Sequence, residues 1–264
     1  MGRLAYSFVR HFEPEPTRQL RVDRHYLLCV SEGALRLEAD GTMWSLPPAR
    51  AALIAAGHPI DVTIPQPVTT ASMLVSTDFA PAPPAPLTVF DLTPLARALI
   101  AECGQWGESE APLSEYAAAM FSALVAATWA LAEHPSPARM PAGRSAETRG
   151  ALVLTGSRLA DDPRIDEIAA AVGLTSRSLA RRFADELGMT WSAALRRMRI
   201  LRAIEMLAAD DASVTTIAMR VGYTSLSAFQ AAFGELTGKT PSEYRRGFEP
   251  WSRQARATRT TRTT

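Results

Sequence analysis

The stretch from 165 to 246 constrains this chain most, because its two halves have nearly the same sequence. Residues 165–197 read IDEIAAAVGLTSRSLARRFADELGMTWSAALRR, and residues 214–246 read VTTIAMRVGYTSLSAFQAAFGELTGKTPSEYRR. The apolar and glycine positions coincide at an offset of 49 residues, as Ile168 does with Ile217, and one extra residue enters the second half later on. A near-repeat of this length indicates one supersecondary unit that occurs twice.

Each half has the pattern of two short helices joined by a tight turn. In the first half, apolar residues recur at three- and four-residue steps, as at Ile168 and Val172, and define one buried helix face. Gly173 would end that helix and reverse the chain, and the hydroxyl of Thr175 or Ser176 would cap the next helix. A helix-turn-helix of this kind can place its second helix in a DNA major groove. A helical hairpin packed for its own sake is the alternative.

Basic charge is concentrated in the half of the chain that contains the repeat. The 264 residues have a formal net charge of +1. Residues 1–138 contain 8 Arg and 14 Asp or Glu, a net charge of −6, whereas residues 139–264 contain 20 Arg or Lys and 13 Asp or Glu, a net charge of +7. This asymmetry favours a C-terminal domain that binds phosphates.

The pattern of residues 25–79 is that of β-structure. Short apolar runs alternate with Pro- and Gly-containing segments, and Asp40-Gly41 between two alternating runs predicts a two-residue hairpin turn. Short strands at near-regular spacing favour a small barrel or jelly roll. We expect residues 1–24 to be a loose lead-in with an edge strand.

Two helices are expected after a proline-rich connector at 80–86. The first would begin at Thr93-Pro94 and turn Leu95 inward. The second would span 113–133, with an apolar stripe that begins at Tyr116 and is wide enough to pack on the barrel and on a second subunit. Packing within one chain is the alternative for that stripe.

The chain is expected to have an α+β fold of two domains. Residues 134–145 are rich in Pro, Ala, Gly and Arg and predict an interdomain linker. The sensing and dimerisation domain with its helical extension would span 1–138 and the helical DNA-binding domain 146–250, followed by a disordered basic tail at 251–264. Residues 192–208 predict a helix of about 25 Å, the scale that separates successive major-groove faces.

Several other chemistries lack their sequence signals. No apolar run reaches membrane-spanning length and no signal peptide is recognisable, so we expect a cytoplasmic protein. Cys29 and Cys103 have no metal-ligand spacing and are expected to be plain thiols, with a regulatory disulfide as the alternative. The four histidines stand alone, and GxSxG, P-loop and GxGxxG motifs are missing, so neither a metal, a cofactor nor an enzyme is expected.

The repeat, the linking helix from Arg199 to Leu207 and the closing motif GxTPSEYRR at 238–246 resemble the AraC/XylS family of bacterial transcription regulators. The resemblance implies a C-terminal domain of two helix-turn-helix units joined by a long helix, and double-stranded DNA as its partner. It also implies a cupin-like N-terminal β-barrel that binds a small effector and forms a homodimer, here through helix 113–133. An activator would also contact RNA polymerase.

Carried onto this sequence, the resemblance makes 176–187 the first recognition helix and 225–236 the second. Each guanidinium of Arg177 and Arg181 could donate two hydrogen bonds to guanine, worth about 1–3 kcal/mol of discrimination; a solvated helix face is the alternative. The second helix has Ala231 where many family members place Arg, so we expect it to read less sequence. The expected base-reading residues are Ser176, Arg177, Ala180, Arg181, Leu226, Ser227 and Gln230.

Two further sets complete the expected sites. The expected phosphate contacts are Thr175, Arg182, Thr224, Ser225, Arg245 and Arg246. For Arg182 a surface ion pair is an equal alternative. The expected effector contacts are Tyr26, Cys29, Met43, Trp44 and His58, which core packing explains equally well. The alternative function is a small-molecule-binding cupin protein or enzyme whose helical C-terminal domain mediates protein contacts.

Overall fold

The computed structural model describes residues 4–48, 50–109, 111–209 and 211–247. Its strands are β1 (Ala5–Phe12), β2 (Glu15–Leu20), β3 (His25–Glu32), β4 (Leu35–Ala39), β5 (Thr42–Leu46), β6 (Arg50–Ile54), β7 (Ile60–Ile64), β8 (Val68–Val75), β9 (Leu87–Asp91) and β10 (Arg139–Pro141). Its helices are α1 (Pro94–Cys103), α2 (Glu115–Ala132), α3 (Ala146–Ser157), α4 (Ile165–Ala171), α5 (Ser176–Leu187), α6 (Trp191–Ala209), α7 (Val214–Arg220), α8 (Leu226–Thr237) and α9 (Pro241–Arg246). The chain therefore has the expected order of strands followed by helices, except that β10 follows α2.

Two compact units divide the chain. Among the described residues, the first comprises 4–39, 46–136 and 245–247, and the second comprises 40–45 and 137–244. The second unit thus includes a short segment from the N-terminal half, because β5 pairs antiparallel with β10. The predicted tail at 251–264 lies outside the described residues.

The strands form two five-stranded antiparallel sheets, as the barrel or jelly-roll prediction required. The first sheet has the order β1-β8-β3-β6-β9. In the second, β7 pairs with β2 and with β4. The predicted hairpin turn is confirmed, since Asp40 and Gly41 have φ angles of 50° and 70°, the left-handed pair that a two-residue hairpin needs.

The prediction of an edge strand within residues 1–24 is confirmed, because β1 lies at the edge of the first sheet, but the prediction of a loose lead-in is wrong. Those residues contain two strands, and β1 pairs with β8 along its whole length, from Ala5 opposite Val75 to Phe12 opposite Val68. Most side chains of β1 are not fully buried. Its sequence also lacks the apolar alternation that identifies a strand. Its backbone hydrogen bonds to β8 define it instead, and they span more than fifty residues of sequence.

Helices α1 and α2 pack on the first sheet through one hydrophobic core. Thr93 caps α1 and Pro94 occupies its first turn, as predicted. Phe121 and Leu124 of α2 are fully buried in this core. Leu95 and Tyr116, however, are 64% and 57% exposed. The prediction that Leu95 faces inward is therefore wrong, while the packing of the stripe that begins at Tyr116 on a second subunit stays a prediction. The next residue in each first turn, Ala96 or Ala117, is fully buried, so each helix turns this alanine toward the core and its larger neighbour away from it.

By length and composition alone, α2 could cross a membrane. This corrects the expectation that no apolar run is long enough. Its buried residues, among them Phe121 and Leu124, belong to the same hydrophobic cluster as Phe90 of β9, so one face of α2 packs in the core of the first unit. Such helices commonly pass the same test, so the finding is weak evidence for a membrane span.

Part of the predicted linker is ordered structure. Residues 139–141 form β10, and the side chain of Met140 is 1% exposed in the core of the second unit. The backbone of Ala142 donates to the carbonyl of Gly41, which extends the pairing by one step. Composition predicted only a linker, but one buried methionine and the pairing with β5 make residues 139–141 a strand.

Candidate nucleic-acid interface

The first helix-turn-helix unit has the turn that the sequence predicts. Gly173 has a φ of +72°, and no atom lies within 4 Å of the place where a Cβ would stand, so backbone conformation alone selects glycine here. The amide of Leu174 donates to the carbonyl of Ala169, which closes the turn. Thr175, not Ser176, caps α5, because its side chain accepts from the amide of Ser178. The start of α5 is thereby fixed.

Helix α5 buries one face and exposes the other. Leu179, Phe183 and Leu187 are buried in the core of the second unit. Arg177 and Arg181 lie one turn apart on the exposed face. Among the described residues, neither guanidinium has an ion-pair or hydrogen-bond partner. Two arginines on one face, each with all its donors available, can bind a nucleic acid without first breaking an intramolecular contact.

The other expected residues of α5 differ in exposure. Ala180 is exposed and Ser176 is half-buried beside the cap. Arg182 makes ion pairs with Glu147 at 3.3 Å and with Glu186 at 3.6 Å. The ion-pair alternative for Arg182 therefore has a geometric basis, and its phosphate contact stays a prediction.

Helix α8 repeats this arrangement with a different surface. Ser225 caps it, and Phe229 and Phe233 are its buried residues. Leu226, Ser227, Gln230 and Ala231 are exposed, as expected. Since no arginine stands among them, the outward face of α8 offers an amide and hydroxyls where α5 offers two guanidinium groups. The aromatic rings of Tyr223, Phe229, Phe233 and Tyr244 follow one another at centroid distances of 5.4–5.7 Å and fix α8 against α9.

The expected phosphate-binding residues lie at helix ends. Thr175 and Ser225 are exposed caps at the starts of α5 and α8, and Thr224 is exposed beside Ser225. Arg245 is half-buried and Arg246 exposed at the last turn of α9. Hydroxyls and amides at helix starts suit anions, and their roles toward DNA stay predictions.

Glu186 is a structural anchor of α5 that the sequence analysis missed. Its carboxylate accepts from the amides of Arg144 and Ser145 at 2.7 and 2.9 Å and from the Ser145 hydroxyl at 2.6 Å. Burial raises the pKa of Glu186, but the hydrogen bonds from Ser145, Thr148 and Arg144 outweigh it and lower the pKa to about 2. The contact spans 41 residues, so no local pattern reveals it.

The five residues expected to contact an effector do not form one cluster. Cys29 is fully buried in the core between the first sheet and the helices, where burial raises the pKa of its thiol. The hydroxyl of Tyr26 is 3.2 Å from that of Ser72, and burial raises the pKa of Tyr26 to about 12. Successive side chains of a strand alternate between faces, so Tyr26 and Cys29 point to opposite sides of β3.

The remaining effector candidates lie elsewhere. Met43 and Trp44 are on β5, opposite Met140 and Arg139 of β10 in the second unit. His58 follows Gly57 in the loop between β6 and β7. Effector binding by these residues stays a prediction. Within the described ranges, no group of three His, Cys, Asp or Glu side chains could hold a metal ion.

Comparisons with known proteins agree with this geometry. Residues 168–247 match the family model described as a helix-turn-helix domain. An uncharacterized helix-turn-helix-type transcriptional regulator of Mycobacterium tuberculosis is 34% identical over 107 residues, which are 39% of this chain and 31% of that protein. The xylose operon regulatory protein of Escherichia coli is 32% identical over 82 residues, 31% of this chain and 21% of that protein.

One solved structure is similar to part of this chain. It is a Chromobacterium violaceum transcriptional regulator described by its AraC-type DNA-binding domain, 26% identical, with a TM-score of 0.38, covering 39% of this chain and 91% of that one. The chain spans about a third or less of the length of the curated relatives named above. The family model shows that residues 168–247 of this chain are a helix-turn-helix domain.

Proposed function

We propose that this chain, whose C-terminal part is an AraC-type helix-turn-helix domain, is a sequence-specific DNA-binding transcription regulator. The observation that carries the proposal is the exposed face of α5, where Arg177 and Arg181 stand one turn apart with their donors available. Two α-helices with the capped starts and open faces of α5 and α8 suit two major-groove segments. The charge of the C-terminal half, +7 over residues 139–264, adds attraction to phosphates.

Specificity would come mainly from α5. Arg177 and Arg181 would read bases together with Ser176 and Ala180, while Leu226, Ser227 and Gln230 of α8 would add fewer base contacts. Thr175, Thr224, Ser225, Arg245 and Arg246 would contact phosphates. We assign Arg182 to its ion pairs with Glu147 and Glu186, which occupy its guanidinium.

The N-terminal unit would bind a small-molecule effector and mediate a homodimer through α2. Beyond the first turn of α2, its exposed residues are small, Ala119, Ser122, Ala126 and Ala130, and would let a second helix approach closely. An activator of this kind would also contact RNA polymerase. The protein would act in the cytoplasm, where bacterial DNA is located, and no catalytic step forms part of the proposal.

Selection of DNA from a random pool by the purified chain tests the proposal. One enriched motif, bound in a mobility-shift assay with affinity that falls steeply as salt rises, is expected because arginines displace counterions. A pool without an enriched motif, with and without candidate small molecules, would favour the alternative of a small-molecule-binding protein whose helical part mediates protein contacts.

A matched pair of variants tests the role of α5. Arg181→Ala should relax base preference at one or two positions and cost about 1–3 kcal/mol on the preferred site. Arg182→Ala removes the same charge from the neighbouring residue but should leave the motif unchanged, because its guanidinium is held by carboxylates. Equal effects of the two variants on base preference would remove the proposed reading role of Arg181.

A further inference from the structure

Arg199 of α6 touches the entrance of the first helix-turn-helix unit. Its side chain is 12% exposed. Its Nε donates to the carbonyl of Leu159 at 3.1 Å, and its Nη2 to the carboxylate of Asp162 at 3.2 Å. Both partners lie in the loop between α3 and α4. Asp162 is 89% exposed, so that ion pair contributes little by itself, and the buried bond to Leu159 is the firmer anchor.

The same guanidinium also touches the turn of the second unit. Its central carbon lies 5.8 Å from the ring centroid of Tyr223, which follows the turn residue Gly222. Gly222 has a φ of +87°, and a Cβ there would overlap the Leu159 carbonyl oxygen and stand 2.7 Å from Nη2 of Arg199. The turn of the second unit therefore packs directly on the loop that enters the first.

Among the described residues, the first helix-turn-helix unit has no such contact at its own turn. Gly173, which corresponds to Gly222 in the repeat, has open space around the Cβ position. The two turn glycines therefore meet different requirements: the first only needs a left-handed backbone, and the second must also admit Leu159 and Arg199. Both glycines occupy the same position of the helix-turn-helix motif, so the difference between them comes from the residues packed around each one.

Helix α6 joins the two helix-turn-helix units, and a second contact between these two units restricts how they can rotate about it. Its 19 residues span about 28 Å and set the distance between the units along its axis. Trp191 and Leu195 at its beginning belong to the core of the first unit. A side chain that touches both units beside this helix adds a restraint on how one unit is rotated relative to the other.

We infer that Arg199 is a positioning residue that holds the two helix-turn-helix units in one mutual orientation, so that α5 and α8 bind DNA segments of fixed spacing. The inference rests on the proposed function. Its chemistry requires arginine, because a planar guanidinium can donate to the Leu159 carbonyl while it lies over the Tyr223 ring. A lysine ammonium retains the charge but is a single point donor.

The test uses the full chain and its selected DNA in three forms: the intact site, the site with one base pair inserted between the two segments, and the site with the second segment scrambled. Arg199→Ala should weaken intact-site binding about tenfold, within the range usual for coupled sites. It should reduce the penalty of the insertion and leave the scrambled site within about twofold of wild type. Arg199→Lys should behave like Arg199→Ala.

The control is Arg158→Ala, which removes one exposed positive charge beside Leu159 without spanning the units. It should leave the insertion penalty unchanged. An equal loss on the intact and scrambled sites would assign Arg199 to folding or to a phosphate contact and overturn the inference, as would wild-type behaviour of Arg199→Ala.

Two further outcomes remain informative. If Arg199→Ala does not fold, Tyr223→Leu removes the ring but keeps the Leu159 bond, and it must still reduce the insertion penalty. If the wild-type chain enriches no DNA motif, the proposed function fails before any variant is made, and the inference fails with it. A wild-type chain that binds DNA while the variants keep its spacing preference overturns the inference alone.

Discussion

The carboxylate of Glu186, near the end of α5, holds the start of α3 through two backbone amides and a hydroxyl. We predict that Glu186→Gln destabilises the second unit, because an amide has one acceptor oxygen and would turn a donor toward other donors. Ser145, the cap of α3, would lose its short bond to Oε1. The substitution therefore acts at the point where the predicted recognition helix α5 is attached to α3.

The magnitude follows from the pKa. A decrease of the pKa from its ordinary value of 4.5 to about 2 corresponds to about 3 kcal/mol of preference for the ionised form. Screening by solvent near the surface lowers that figure, so we expect Glu186→Gln to reduce the free energy of unfolding by about 2 kcal/mol near neutral pH. Three charge-assisted hydrogen bonds support a loss of this size.

The sign with pH is fixed by the direction of the shift. The pKa of Glu186 is lowered in the folded chain, so its stabilisation is complete above the unfolded pKa of 4.5 and is lost as pH falls toward about 2. Urea unfolding of the wild type and the variant, followed by far-ultraviolet circular dichroism, should show a difference that shrinks by more than half between about pH 7 and about pH 3.

Glu235 provides the matched control, since it lies near the end of α8, next to the position that corresponds to Glu186 in the repeat, and is exposed. Glu235→Gln should change the free energy of unfolding by less than about 0.5 kcal/mol, as is usual for exposed sites. Equal losses in the two variants, or a Glu186→Gln loss that is independent of pH, would refute the capping role of the carboxylate.

Two other predictions concern backbone strain and a buried imidazole. Gly173→Ala should cost about 1–2 kcal/mol for its left-handed φ alone, whereas Gly222→Ala should cost about 3 kcal/mol or more, because its Cβ would also overlap the Leu159 carbonyl; equal costs in urea unfolding would contradict the close packing. His25 is buried, and its Nδ1 accepts from the amide of Ala56 at 3.1 Å. Burial lowers the pKa of His25, so the stability that its neutral form provides is complete above the unfolded pKa of about 6.5 and declines as pH falls below it. The melting temperature of His25→Gln should depend less on pH between about 7 and 5 than that of the wild type; parallel profiles would show that His25 does not titrate on unfolding.

The turns of the C-terminal part were predictable because each depends on one residue and its neighbours. Gly173 and Gly188 have the positive φ that a helix reversal requires, and the hydroxyl of Thr175 meets an amide three residues later. The buried face of α5 was equally predictable, since Leu179 and Phe183 follow the helical period. Such patterns are local, so the sequence alone contains them.

The wrong predictions for the first compact unit have a different origin. Leu95 has the apolar character of a core residue, yet α1 buries the neighbouring Ala96 and leaves Leu95 exposed. Strand β1 lacks an alternating pattern and exists because β8 is beside it. Periodicity reports the side chains a segment could bury, and it contains no information about which neighbours are present.

The sequence by itself determined that one helix-turn-helix pattern occurs twice, with its caps, its turns and the exposed arginines on the first copy only, because these features repeat within a few residues. Only the tertiary structure decided that Glu186 anchors α5 to α3. It also decided that Arg199 contacts both helix-turn-helix units, at Leu159 and at Tyr223. It also separated Tyr26 from Cys29 by placing Cys29 in the core beneath the helices. These contacts connect residues that are dozens of positions apart, and only the folded chain brings such residues within hydrogen-bonding distance.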